Sequence, residues 1–157
     1  MATIRAATPS DKERWLELWA GYNAFYEATI PAAVTEATWR RILNADAPII
    51  GRIAELDGRP VGFANAVLHE STWSIAPVCY LEDLFVDPAV RRAGIGRSLL
   101  QDLMELAGAH GWSTVYWHTR SNNITARRLY DTFAPVDDFV RYQLLVNPGR
   151  PPGGGLP

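Results

Sequence analysis

Residues 80–100 read YLEDLFVDPAVRRAGIGRSLL, and this stretch decides the fold. Its first part is apolar and aromatic and ends at Asp87-Pro88, which predicts a strand over 78–86. Its second part opens a helix predicted over 94–109, in which Ile95, Leu99 and Leu103 share one face. A strand that runs through a glycine-containing loop into an amphipathic helix is typical of an α/β protein.

The loop inside this stretch has the composition of an anion-binding site. Its glycines, Gly94 and Gly96, allow close backbone approach and unusual dihedral angles. Unpaired N–H groups at the start of the following helix bind phosphate, and Arg91, Arg92 and Arg97 would add charge-assisted contacts. The Gly-Lys-Ser/Thr of a P-loop is absent, and so is the third glycine of a dinucleotide fingerprint. The pattern Arg-x-x-Gly-x-Gly between a strand and a helix remains.

On either side of this stretch, hydrophobic periodicity predicts one α/β domain over 1–146 with a mixed, largely antiparallel sheet. Trp15, Leu18, Trp19, Tyr22 and Phe25 recur at helical spacing. Residues 147–157 are too rich in proline and glycine to bury a core, so we expect a disordered tail. The other predicted elements are strands at 2–7, 49–55, 61–68, 114–119 and 139–146, helices at 35–45 and 123–132, and a loop at 71–77.

The bulk composition argues against several classes of protein. The 157 residues carry a net charge of −2, so we expect no nucleic-acid partner. No apolar run is long enough for a membrane span or a secretory signal. Cys79 is the only cysteine, which excludes an internal disulfide and favours a cytoplasmic setting. The three histidines, His69, His110 and His118, lack the spacing of metal ligands, and we expect no metal site.

Two motifs together resemble the GNAT superfamily of N-acetyltransferases. The run Arg91-Arg92-Ala93-Gly94-Ile95-Gly96 resembles the acetyl-coenzyme A signature of that family, and Leu-Glu-Asp-Leu-Phe-Val before it resembles the polyamine and diamine acetyltransferase branch. Downstream, Asn123-Ile-Thr-Ala-Arg-Arg-Leu-Tyr130 is similar to the family's Asn-x-x-Ala-x-x-Leu-Tyr helix. The resemblance implies six to seven strands, about four helices, and a splayed strand pair that holds the pantetheine arm at a β-bulge.

The resemblance also implies a set of residues for acetyl-coenzyme A, the expected co-substrate. Strand residues at the splay would pair with pantetheine, the loop and helix start would hold the pyrophosphate, and the downstream helix would add contacts. The chain departs from the family at position 92, where Arg stands in place of a common Gly. The implied set is Leu84, Phe85, Val86, Arg91, Arg92, Ala93, Gly94, Ile95, Gly96, Arg97, Ser98, Asn123 and Arg127.

Tyr130 and Glu82 are the candidate catalytic residues. A phenol has a reference pKa of about 10 and keeps its proton at neutral pH, so Tyr130 could donate a hydrogen bond or a proton to the departing sulfur, although a buried tyrosine also serves packing. Glu82 could take the amine proton, directly or through water, or could be an ordinary strand carboxylate. Strand alternation places Asp83 on the opposite face unless a bulge intervenes. We expect Tyr26, Glu27, Glu82 and Asp83 to contact the acceptor.

The resulting hypothesis is an enzyme that transfers acetyl from acetyl-coenzyme A to the primary amine of a small molecule. A polyamine, an amino acid or an aminoglycoside-like compound would fit, and attack would occur directly in a ternary complex. Two alternatives stay open: acetylation of a protein lysine or N-terminus, and a non-catalytic acyl-coenzyme A sensor. The resemblance also favours a homodimer.

Overall fold

The computed structural model describes residues 1–91 and 93–146, and five strands in them form a single sheet in the order β1-β2-β3-β4-β5. The first three pairings are antiparallel, while β4 and β5 run parallel. Arg92 and the tail predicted over 147–157 lie outside the described residues. The strands are β1 (Thr3–Ala6), β2 (Ile49–Leu56), β3 (Arg59–Ser71), β4 (Ser74–Val86) and β5 (Thr114–Trp117), and the helices are α1 (Lys12–Phe25), α2 (Ala32–Leu43), α3 (Ile95–His110) and α4 (Ile124–Tyr130).

The prediction of an α/β fold with a mixed, largely antiparallel sheet and four helices is confirmed. Two details of the prediction are wrong. Residues 71–77 are not a loop, because β3 and β4 extend to Ser71 and Ser74 and form a long hairpin. Residues 139–146 form neither strand nor helix, so the described residues hold five strands rather than six or seven. A stretch rich in β-branched and aromatic residues forms a strand only where a neighbouring strand can pair with its backbone.

The sheet is packed on both faces. On one face, α3 contributes Leu99, Leu100 and Leu103 to a fully buried cluster. On the other, α1 and α2 bury an aromatic cluster in which Trp15 stacks on Trp19 with ring centroids 5.3 Å apart. The aromatic residues at helical spacing in α1 therefore belong to the hydrophobic core, since large aromatic side chains contribute much of the stabilisation that burial gives.

A β-bulge interrupts the pairing of β3 with β4. Asn65 pairs with Asp83 while the next residue, Ala66, pairs with Leu81, which leaves Glu82 as the extra residue. Leu81 belongs to the α3 cluster whereas Phe85 belongs to the aromatic cluster, although strict alternation would place both on one face. The bulge therefore switches the faces of β4 within the stretch that carries the two carboxyl groups.

The parallel strands β4 and β5 are paired over only part of their length. Their register runs from Val78 opposite Thr114 to Leu81 opposite Trp117 and stops there. Beyond Leu81, β4 continues to Val86 while β5 ends. The sheet thus opens at the bulge, and the opening faces the start of α3 and all of α4.

Candidate active site

A cleft of about 660 Å³ lies where β4 leaves β5. Its walls come from the end of β4, the loop before α3, the first turn of α3, α4 and the end of α1. The structure brings nine of the predicted cofactor residues to this cleft. These nine are Leu84, Phe85, Val86, Arg91, Gly94, Ile95, Gly96, Arg97 and Asn123.

The start of α3 has the backbone geometry that an anion site requires. Gly94 has a φ of 74°, in the left-handed region that favours glycine. The first N–H bonded within α3 is that of Ser98, which donates to the Gly94 carbonyl at 3.0 Å, so the preceding N–H groups have no acceptor inside the helix. A Cβ on Gly96 would lie 3.3 Å from Leu129, so this glycine lets α3 and α4 approach closely. These residues fit a bound pyrophosphate.

Arg97 lines the cleft and also reaches the turn after α4, where it donates to the Thr132 hydroxyl at 3.1 Å and lies over the Phe133 ring. The remaining described residues of the predicted set do not line this cleft. Arg127 instead donates to the Ser121 carbonyl at 2.8 Å and lines a separate cleft beside β5. Ser98 turns its hydroxyl back to the Gly94 carbonyl, and Ala93 is exposed in the loop without lining the cleft.

Tyr130 lies at the junction of this cleft with a much smaller cavity. It lines both spaces, together with Tyr26 and Leu84. Its ring packs edge-on against Trp117 with centroids 5.6 Å apart. Burial raises the pKa of the Tyr130 hydroxyl to about 12, so the group keeps its proton at neutral pH and can donate it in a hydrogen bond.

Glu82 lines the smaller cavity, across from Tyr130. Burial, followed by the neighbouring charge of Asp83, raises the pKa of the Glu82 carboxyl to about 7. No cation lies within salt-bridge distance of either carboxyl among the described residues. A carboxyl whose pKa lies near neutrality can act as a base at physiological pH.

Asp83 is almost fully buried and is held by uncharged donors. The Asn65 amide donates to it at 3.0 Å, and the Tyr22 hydroxyl is its other partner. Burial raises the pKa of Asp83 to about 6 in spite of these two bonds. Asn65 was not among the predicted site residues. Its role depends on the register of β3 with β4, for which the sequence carries no signal.

One polar atom beside the carboxyl pair lacks a partner. Asn65 is 3% exposed, and its Oδ1 accepts no hydrogen bond from the described residues. Buried carbonyl oxygens are nearly always satisfied, so an orphaned acceptor here marks a place where an outside donor can bind. An ammonium group supplies such donors.

The predicted acceptor residues divide into two groups. Tyr26 lies at the junction beside Tyr130, and the Arg120 guanidinium lies 5.7 Å from its ring centre. Glu82 and Asp83 lie next to it. Glu27 does not join them, because α1 ends two residues earlier and the chain turns through a positive φ of 53° at this residue, which is exposed to solvent.

His118 and Cys79 also lie close to the strands that form this site. His118 lines the smaller cavity, and burial lowers the pKa of its imidazole. Cys79 is fully buried under α3, and burial raises the pKa of its thiol to about 11, so it packs as a small apolar residue. Among residues 1–91 and 93–146, no group of three or more metal-binding side chains comes together. No helix in the same part of the chain is both long and apolar enough to cross a membrane.

Comparison with known proteins agrees with this geometry. The model of the Acetyltransferase (GNAT) family matches residues 13–134. The chain is 32% identical over 142 residues to the D-amino-acid N-acetyltransferase HPA3 of Saccharomyces cerevisiae, covering 89% of this chain and 88% of the yeast protein. It is 33% identical over 151 residues to the aminoglycoside N(6')-acetyltransferase type 1 of Stenotrophomonas maltophilia, covering 93% and 95% of the two chains.

A solved structure shares the fold at lower sequence identity. An aminoglycoside acetyltransferase, meta-AAC0020, from an uncultured soil metagenomic sample superposes with a TM-score of 0.78 at 21% identity, covering 93% of this chain and 97% of that one. The family model covers most of the chain, and the matched range contains the β4 loop, the start of α3 and the α4 tyrosine. The chain therefore belongs to the GNAT family of acetyltransferases.

Proposed function

We propose that the protein transfers an acetyl group from acetyl-coenzyme A to the primary amine of a small molecule, by direct attack in a ternary complex. One observation carries the proposal. Tyr130 lies between a phosphate-suited cleft and a cavity of about 10 Å³ lined by the Glu82 carboxyl, which has room for one water-sized group, such as the amine nitrogen of an acceptor, next to its hydroxyl. Membership of the family makes the protein an acyl-coenzyme A-dependent acetyltransferase.

Residues of the large cleft would hold the co-substrate. Acetyl-coenzyme A supplies an acyl group on a thioester, whose carbonyl is open to attack by an amine. The N–H groups at the start of α3 and the side chains of Arg91 and Arg97, which line this cleft, would bind its phosphates. The unpaired part of β4, at Leu84 and Val86, offers backbone groups to an extended ligand lying along it.

Glu82 would act on the acceptor. An alkylammonium ion has no lone pair, so it must lose a proton before it can attack. A carboxyl with a pKa of about 7 is partly ionised at neutral pH and is basic enough to take that proton, directly or through a water molecule. Glu82 and Asp83, with the free Asn65 oxygen, also favour a cationic group in this cavity.

Tyr130 would act on the leaving group. Its hydroxyl carries its proton at any pH at which the enzyme works, since burial holds its pKa at about 12. A thiolate that leaves beside it would accept a hydrogen bond from this hydroxyl. Complete proton transfer would be uphill, because the reference pKa of a thiol, about 8.5, lies below that of Tyr130. Donation of this kind contributes about 10²–10⁴-fold to a rate.

The names of the relatives favour a small acceptor. One is named for D-amino acids and another for an aminoglycoside, both of which carry a primary amine on a small polar molecule. A protein lysine or N-terminus is the alternative acceptor. A non-catalytic sensor of acyl-coenzyme A is a further alternative, which the presence of both Tyr130 and Glu82 disfavours. We also propose a cytoplasmic homodimer.

Titration calorimetry with acetyl-coenzyme A, followed by thiol release against a panel of amines, tests the proposal. Binding with thiol release on one amine class supports the enzyme and identifies the acceptor. Binding without release on any small amine or peptide would favour the sensor. Absence of binding would rule out the assignment of the α3 loop to acetyl-coenzyme A.

A further inference from the structure

Asn65 and Asp83 form a polar pair on an otherwise aromatic face of the sheet. The two residues lie directly opposite each other in β3 and β4, and the next pair on the same face is Phe63 opposite Phe85. Asn65 and Asp83 are both buried, with 3% and 9% of their surfaces exposed. A charge in such surroundings is unfavourable unless hydrogen bonds replace its lost hydration. Packing alone therefore does not explain a carboxyl group at this position.

Two uncharged donors stabilise the ionised form of Asp83. The Asn65 amide nitrogen donates to Oδ2 of Asp83 at 3.0 Å, and the Tyr22 hydroxyl of α1 donates as well. No described residue forms a salt bridge with Asp83. Burial raises the pKa of this carboxyl, and the two hydrogen bonds limit the rise. Without Asn65, the Asp83 carboxyl would therefore keep its proton to a higher pH.

Asn65 is not the residue that stability alone would favour at this position. Its amide nitrogen has a partner, but its Oδ1 accepts no hydrogen bond from the described residues. A buried acceptor without a partner is unfavourable. A leucine of similar volume would avoid this penalty among the aromatic side chains of the same face, but it could not donate to Asp83. The contact that distinguishes asparagine here is its hydrogen bond to the carboxylate.

Asp83 in turn acts on Glu82, the proposed base. The β-bulge leaves Glu82 unpaired between Leu81 and Asp83, so the two carboxyl groups are adjacent in the chain. After burial, the charge of Asp83 is what raises the pKa of Glu82. An ionised Asp83 therefore makes Glu82 a stronger base, whereas a protonated Asp83 would not. The charge of Asp83 thus matters for proton transfer although its side chain does not line the Glu82 cavity.

Other titratable groups around the two carboxyls do not replace this effect. Tyr22 and Tyr26 of α1 face Asp83 and stay neutral, since burial raises the pKa of both hydroxyls. Arg141 acts on Glu82 in the opposite direction and lowers its pKa. Among the described residues, Asp83 is the one group whose charge raises the pKa of Glu82. The other titratable side chains near Glu82 are Tyr80, Tyr116, His118 and Tyr130.

We propose that Asn65 is a positioning residue for the proposed acyl transfer: it holds the ionised Asp83 carboxylate next to Glu82, and this charge strengthens Glu82 as a base. The role rests on the proposed function, because it requires that Glu82 take the amine proton. The proton balance of the reaction is unchanged, since the proton passes from the ammonium group to Glu82 and Asp83 neither gains nor loses one. Asn65 acts through Asp83 and lines neither the cofactor cleft nor the Glu82 cavity.

The first test follows the inflection of kcat/KM between pH 5 and 9. Thiol release is measured with acetyl-coenzyme A and whichever of D-alanine, kanamycin and 1,4-diaminobutane gives the highest rate. Asn65→Leu keeps the volume but cannot donate, so Asp83 keeps its proton through neutrality and the inflection should fall by about one pH unit. Asp83→Asn should give the same fall, and adding Asn65→Leu to it should move the inflection by less than about 0.2. Asn65→Val serves the same purpose if the leucine variant does not fold.

Unfolding in urea gives a second readout, which needs no turnover. The pKa of Asp83 is about 6, above its ordinary value, so the destabilisation by its ionisation grows as the pH rises and is complete above about 6 in the wild type. In Asn65→Leu the pKa of Asp83 rises further, so the destabilisation keeps growing above pH 6. The stability of the variant relative to the wild type should therefore be constant between pH 4 and 5 and should fall further towards pH 9.

Four outcomes would overturn the proposal. An unchanged inflection in Asn65→Leu means that Asn65 does not act on the base, and additive shifts in the double variant mean that it does not act through Asp83. A stability difference that is the same at every pH means that Asn65 only packs. If the wild type releases no thiol with any of the three amines, the proposed function fails, and the role of Asn65 in catalysis fails with it whatever the unfolding data show.

Discussion

At the scale of single residues, Glu82 and Asp83 are adjacent carboxyl groups that form no salt bridge with any described residue, although the charge of Arg141 partly lowers the pKa of Glu82. Burial raises the pKa of both, and the charge of Asp83 raises that of Glu82 further. The ionised forms are disfavoured by the fold, so this pair lowers stability progressively as the pH rises from about 4 to about 7, and the loss is complete above that range. Sites whose residues lower stability in this way are common where a charged substrate binds.

This pair predicts the acidic limb of the pH profile. Since Glu82 must be ionised to accept a proton, kcat/KM should rise with pH and level off above an inflection near pH 7. Asp83→Asn removes the neighbouring charge and should move the inflection to lower pH. Asp102→Asn removes a carboxyl that pairs with Arg52, away from the cleft, and should leave the inflection unchanged. The measurement is kcat/KM by thiol release between pH 5 and 9.

Removal of the base itself is a separate prediction. Glu82→Gln keeps the size of the side chain but cannot take a proton, so we expect a loss of about 100-fold in kcat and no inflection near neutrality. If Glu82→Gln retained both the wild-type rate and the wild-type inflection, the base would have to be another group.

Tyr130 gives a prediction that distinguishes catalysis from packing. Tyr130→Phe keeps the ring against Trp117 and removes only the hydroxyl. We expect kcat to fall about 100-fold while the affinity for acetyl-coenzyme A in calorimetry stays within about twofold. If Tyr130 only packs in the core, Tyr130→Phe should leave kcat unchanged. If the protein is a sensor, neither the wild type nor the variant should release thiol.

At the scale of the secondary-structure elements, the turn into α3 joins the fold to the site. Gly94 adopts a left-handed conformation so that the loop can enter the helix with its N–H groups facing the cleft. The sequence identified this loop and this helix correctly because both depend on local signals, glycine in the turn and apolar spacing after it.

Replacing this glycine tests the turn. Gly94→Ala should lower the free energy of unfolding by about 1–2 kcal/mol, because the left-handed conformation is unfavourable for alanine. It should also weaken the binding of acetyl-coenzyme A by about tenfold. Gly108→Ala is the matched control: it lies inside α3 with open space around it and should raise stability by about 1 kcal/mol. Denaturant titration and calorimetry measure the two effects. Equal behaviour of both variants would refute the role of the turn.

At the scale of the whole molecule, Arg5 ties three parts of the fold together. It lies in β1 and donates to Asp11 before α1 and to Glu55 in β2. Asp11 is 4% exposed and also accepts the Thr8 amide, and these bonds lower its pKa to about 2. Its contribution to stability is therefore complete at neutral pH and is lost as the pH falls below about 4 towards 2.

We expect Asp11→Asn to lower the free energy of unfolding by about 2 kcal/mol at pH 7, since bonds to a buried charge are lost. Much of this difference should disappear near pH 2. Glu36→Gln breaks an exposed pair with Lys12 and should cost less than about 0.5 kcal/mol. Urea unfolding of the three proteins at both pH values checks this. A difference that stays constant with pH would contradict the lowered pKa of Asp11.

The sequence by itself determined what depends on local pattern. The strand before Asp87, the helix after Gly94, the loop glycines and the Asn123–Tyr130 motif could all be identified, and with them the family and its cofactor loop. The tertiary structure alone decided what depends on pairing between distant segments. The skipped residue in the register of β3 with β4 leaves Glu82 unpaired at the small cavity and sets Asp83 opposite Asn65, which donates to it. The same reason explains the failed strand at 139–146, because a β-pattern becomes a strand only when another strand supplies its hydrogen bonds.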